Sequence, residues 1–131
     1  MTLTKAAIAF GVVFLLIGIL GFVPAAAPDH MLLGIFHVNA AHNVVHLLSG
    51  LAALACGLTS SAASRIYFRI FGVVYGLVAV LGFVQGEGEL LGVISNNMAD
   101  TWLHVVIALT SLALGFAVRE AEVAHPAAPV R

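Results

Sequence analysis

Three histidines and two asparagines stand in "FHVNAAHNVVHLLSG" (Phe36–Gly50), within a chain that is 62% hydrophobic and 8% charged. His42 and His46 are four residues apart, so a helix carries both rings on one face. Two imidazoles at that spacing can chelate one metal ion from a single helix, as the histidines of HExxH do. A second set follows at the same spacing, Asp100 and His104. His42, His46, Asp100 and His104 together make a set of three imidazoles and one carboxylate. Such donors suit Zn²⁺ or Fe²⁺ best and can also take Mn²⁺, Ni²⁺ or Cu²⁺. Metal storage, sensing, delivery, or redox chemistry of a small substrate all fit that set. Asn39 and Asn97, three residues before His42 and Asp100, read as helix N-caps. Asp100 would complete a capping box with Asn97 and sit at the positive end of its helix. His37, Asn43 and Thr101 are candidates to hydrogen-bond and orient the ligands.

Two other readings of the same residues stand beside the metal. A b-type haem would use His46 and His104 as axial ligands from facing helices. It would leave His42 and Asp100 without a role, and the neighbouring loops lack the Lys or Arg that propionates favour. In the third reading the stripe is a His–Asn–Asp hydrogen-bond network in a non-catalytic accessory membrane protein, each bond worth about 1 kcal/mol or less. All three answer the cost of a buried imidazole whose ring nitrogens find no partner. Whether the protein is an enzyme stays open. Nothing resembles a phosphate loop, a nucleophile elbow or a nucleic-acid patch.

The elements that position these residues follow from hydropathy. So few polar residues cannot cover a soluble fold of 131 residues. Four apolar runs, about 6–23, 40–58, 66–84 and 98–118, are near the roughly 20 residues a membrane span needs. The first run also has the look of a secretory signal; an internal counterpart described below makes a retained helix the expectation. The five basic residues are Lys5, Arg65, Arg69, Arg119 and Arg131, all before the first run, around the second connection, or after the fourth. The other two loops carry Asp29, Glu87 and Glu89. The positive-inside rule then places both termini in the cytoplasm. Cys56 is alone, so it reads as a packing residue. The tail 119–131 is cytoplasmic, and its His125 is given no function.

The chain also repeats itself. "FGVVFLLIGILGFV" (Phe10–Val23) returns as "FGVVYGLVAVLGFV" (Phe71–Val84). "LLGIFHVNAAHNVVHLLSGLAALACG" (Leu32–Gly57) returns as "LLGVISNNMADTWLHVVIALTSLALG" (Leu90–Gly115). Each copy is a two-helix hairpin, so both enter the membrane in the same direction, a parallel repeat. The expected fold is therefore all-α, one integral membrane four-helix bundle over 1–131. Its tandem hairpins cover about 6–58 and 66–118, and align His42 with Asp100 and His46 with His104.

The "N…HNxxH" of the first half, "FGVVYGLxxxxGF" of the third helix and "N…ADxxLH" of the second half resemble DUF family 4383. That is a group of small prokaryotic four-helix membrane proteins defined as a domain of unknown function. Thr101 departs from the pattern, where a second Asn would follow the Asp. The resemblance implies the fold, a prokaryotic plasma membrane and weight on the polar stripe, and implies no activity. Expected partners are the lipid bilayer and a homo-oligomer or larger membrane complex, with no nucleic acid.

Overall fold

The computed structural model describes residues 2–120; most of the tail, His125 and Arg131 included, lies outside them. Four long helices carry the fold: α1 (Leu3–Leu20), α2 (Ala40–Thr59), α3 (Ser61–Gln85) and α4 (Met98–Leu112), which runs on as a wider π-turn over Ala113–Ala117. All four are long and apolar enough to cross a membrane. The spans follow the apolar runs, and the largest shift is at the start of α3, which begins at Ser61. The reason is local. Ser60 closes α2, and its hydroxyl accepts from Ala63 N–H, capping the next helix at once.

Polar and apolar residues are arranged inside out. Leu16, Leu48, Ile70, Leu77 and Val106 face outward, whereas His42, Asn43, His46, Asp100, Thr101, His104 and Ser111 are buried. In water such a surface would associate; in lipid it is matched to its solvent. The broad packing contacts are α1 on α2 and α3 on α4, with thinner ones between α2 and α3 and between α1 and α3. Small residues let the backbones close. A side chain at Gly11 would meet the Gly50 carbonyl and Leu54, and one at Gly72 would meet Leu112. At mid-depth Phe10, Phe14, Phe68, Phe71 and Tyr75 form an aromatic core, with Phe71 and Tyr75 centroids 4.3 Å apart.

The connections at one end are structured beyond what an all-α expectation contains. β1 (Met31–Leu32) pairs antiparallel with β2 (Phe36–His37), Met31 opposite His37. β3 (Gly88–Leu90) pairs with β4 (Ile94–Asn96), Gly88 opposite Asn96. Their turns centre on Leu33–Gly34 and Leu91–Gly92, all four with positive φ, as a type I′ turn requires. Strands of two or three residues are too short to show alternation. Leu-Gly is also a weaker turn signal than Asn-Gly, because Leu resists positive φ. These two hairpins form the lid over the polar stripe.

Candidate metal centre

The first turn of α2 begins at Asn39, whose side-chain oxygen accepts from His42 N–H at 2.9 Å. This starts the helix so that His42 and His46 lie on its inward face, both at least nine-tenths buried. The first turn of α4 begins at Asn97 in a capping box: Asn97 Oδ1 accepts from Asp100 N–H at 2.9 Å, and Asp100 Oδ2 accepts from Asn97 N–H at 2.9 Å. His104 follows one turn later, on the inward face of α4.

Three of the four residues converge. Each of His42, His46 and His104 offers a ring nitrogen, and these atoms all lie within 4.8 Å of one another. The rings of His42 and His46 stack with centroids 4.8 Å apart, and His42 lies 6.0 Å from His104. Asp100 is not part of this trio. Its Oδ2 also accepts His37 N–H at 3.1 Å, so the carboxylate binds the lid. Asp100 is in the first turn of α4, where the Asn97 and His37 amides claim its carboxylate.

The ring nitrogens divide sharply. His42 Nδ1 lies 3.1 Å from the His37 carbonyl and 2.8 Å from the Ser95 carbonyl. Carbonyls only accept, so Nδ1 carries the hydrogen and Nε2 keeps a free lone pair. A metal-binding histidine is commonly held by such a backbone carbonyl. His46 Nδ1 and His104 Nδ1 are instead buried with no hydrogen-bond partner. A buried polar group left unpaired costs about 1–3 kcal/mol, and this cluster has two of them. The donor set therefore fits a borderline divalent ion. On one zinc the nitrogens sit roughly 3.4 Å apart, from Zn–N bonds of about 2.0–2.1 Å, so the rings would draw together around it.

The walls are aromatic and apolar. Phe14 packs on His46 at 5.2 Å, and Tyr75 meets His104 edge-on at 5.4 Å. Phe71 lies 5.4 Å from Phe14 and closes the floor. The sequence alone did not single out Phe14 and Tyr75, although the similar stretches Phe10–Val23 and Phe71–Val84 align one with the other. A cavity of about 640 Å³ between α2 and α3 reaches His42 and His104. Another of about 300 Å³ between α1 and α4 reaches His46.

The remaining candidates brace the site. Asn39 Nδ2 donates to the Val93 carbonyl, and Asn97 Nδ2 donates to the Ile35 carbonyl, each at 2.8 Å. Thr101 Oγ1 donates to the Asn97 carbonyl at 3.2 Å and accepts from Asn96 Nδ2 at 3.0 Å. Asn43 packs against Gly21, as Thr101 does against Gly82. His37 contributes its backbone N–H and carbonyl. Asn96 carries no sequence signal of its own; beside Asn97 it reads as a loop residue.

Four apolar spanning helices around a buried polar stripe define a small multi-helix membrane protein. Within that class, the chain belongs to the family described as Domain of unknown function (DUF4383), which matches residues 5–117. Neither a curated protein nor a solved structure matches it.

Proposed function

We propose that this protein binds one divalent transition metal, Zn²⁺ or Fe²⁺ foremost, through His42, His46 and His104, inside a four-helix membrane bundle of two tandem hairpins. The observation that carries this reading is the pair of orphaned nitrogens, His46 Nδ1 and His104 Nδ1, in a trio whose ligand atoms lie within 4.8 Å. A purely structural network would satisfy those nitrogens rather than strand them. A haem between His46 and His104 would need the space held by the His42 ring, which packs against both. With three protein ligands, a fourth position is left for water or a small substrate, so storage, delivery, sensing and redox use all remain within the proposal.

The tandem arrangement is supported by paired contacts. A side chain at Gly57 of α2 would strike Ile8 of α1, and one at Gly115 would strike Arg69, the counterpart of Ile8 in the second copy. Gly21 against Asn43 and Gly82 against Thr101 repeat the pattern. We place the hairpins outside and both termini in the cytoplasm of a prokaryote, because Lys5, Arg65, Arg69 and Arg119 all lie at the opposite end from Asp29, Glu87 and Glu89.

Elemental analysis of purified protein beside the variants His46→Ala and His104→Ala tests the site. Wild type is expected to hold about one metal ion per chain and each variant close to none. Metal-free wild type, or full metal in both variants, rejects the reading, and a Soret band would replace it with haem.

A further inference from the structure

A separate cavity of about 530 Å³ opens at the hairpin end, lined in part by Asp29, His37, Glu87 and Asn96. We propose that it is a capture site for a hydrated divalent cation on its way to His42, His46 and His104, an inference that rests on the metal reading above. Asp29 and Glu87 are exposed and belong to different hairpins' loops, yet they line one space. Asn96, 1% exposed, lines it too, and its Oδ1 is buried without a partner. Two carboxylates and an amide whose oxygen has no partner, lining one cavity, are the oxygen donors that a hard or hydrated cation prefers.

The surrounding charge points the same way. Among the described residues this end carries Asp29, Glu87 and Glu89, while Lys5, Arg65, Arg69 and Arg119 lie at the other. A concavity of one sign over a low-dielectric interior raises the local cation concentration and the rate of capture by about 10–10³-fold. The cavity is also joined to the buried trio through one residue. His37 lines it, and the carbonyl of His37 holds His42 Nδ1. Asp29 and His30 both adopt positive φ, a strained pair of non-glycine residues at this mouth.

The test uses the full chain in detergent, with Co²⁺ as probe, because its ligand-field absorption reports ligation. Wild type and the double variant Asp29→Asn, Glu87→Gln are mixed with Co²⁺ by stopped flow, and bound metal is then counted at equilibrium. The expected result is a rate about tenfold lower in the variant at low salt with unchanged final stoichiometry. The difference should close near 1 M salt, where screening shortens to about 3 Å. Equal rates at low salt, with wild type loading normally, overturn the capture site and leave the metal centre standing. A slowed variant that also loses equilibrium metal overturns it as well, since those side chains would then belong to the holding site. Wild type that takes up no Co²⁺ overturns both.

Discussion

His42 and Asp100 occupy matching turns of α2 and α4, and each reaches across to the backbone of the other half. His42 Nδ1 bonds the Ser95 carbonyl at 2.8 Å, and Asp100 Oδ2 accepts from His37 N–H at 3.1 Å. Ser95 and His37 themselves fall at aligned positions of the two similar sequence stretches, Leu32–Gly57 and Leu90–Gly115. One position thus serves as a cross-brace in both halves, but only the imidazole offers a donor atom close to those of His46 and His104. That difference leaves Asp100 out of the proposed ligand set.

Asp100→Ala is therefore expected to keep its metal while losing stability. It removes a cap and a bond between the halves, together about 2 kcal/mol or more. Metal content and detergent-solubilised melting are measured together. Metal lost from a variant that still folds would put Asp100 back among the ligands.

Asn39 and Asn97 make the same exchange with their side chains, and each amide does two jobs. Oδ1 caps its own helix, and Nδ2 ties the opposite hairpin. Substitution by Asp keeps the cap and deletes the donor. Asn39→Asp and Asn97→Asp should each cost about 1 kcal/mol of unfolding free energy, and the Ala variants about 2 kcal/mol, with the added cap loss. If the Asp variants cost nothing, the tie between halves contributes nothing; if Asp and Ala cost the same, the cap does not.

The sequence made the caps legible because Asn97 and Asp100 are three residues apart, and such spacing is local. It made the i,i+4 histidines legible for the same reason. Which of four candidate ligands would meet was another matter. Helix-on-helix placement brings His104 to His42 and His46, and the lid claims Asp100. The hairpins were hidden by their brevity, and the aromatic walls by resembling any apolar helix face. Phe14 and Tyr75 could have been found by asking which aligned positions of the two similar sequence stretches are large in both. Asn96 could not, since its importance lies in an oxygen left without a partner.

Gly21 and Gly82 hold the interface directly behind the polar stripe. A Cβ at Gly21 would overlap the Asn43 side chain, and one at Gly82 would overlap Thr101. Gly21→Ala and Gly82→Ala should each cost about 1–3 kcal/mol, the usual penalty of overpacking. Gly76→Ala is the control. Its nearest neighbour would be Ala108 Cβ at 4.0 Å, so it should be neutral or stabilising by up to about 1 kcal/mol. Thermal melts of the three variants decide this, and a Gly76→Ala penalty equal to the others would refute the steric account.

At the far end from the hairpins, Glu120 ties the segment after α4 to the start of α1. The Ser61 hydroxyl and then the Leu3 N–H bond its carboxylate, and hold it below the usual carboxylate range. The Leu3 bond is 2.8 Å, and the amide end of a helix favours a negative charge. Because the folded-state pKa is depressed, the tie is fully present above the unfolded value, about 4.3 for Glu. It is lost as pH falls from there through the lowered value. Hydrogen exchange at the Leu3 amide, corrected for its intrinsic pH dependence, reads this locally. Protection should be steady above pH 5 and decline below about pH 4, while Glu120→Gln should show weaker protection with no decline in that window. Protection of wild type that stays constant through the acid range would mean that another group holds the Leu3 amide.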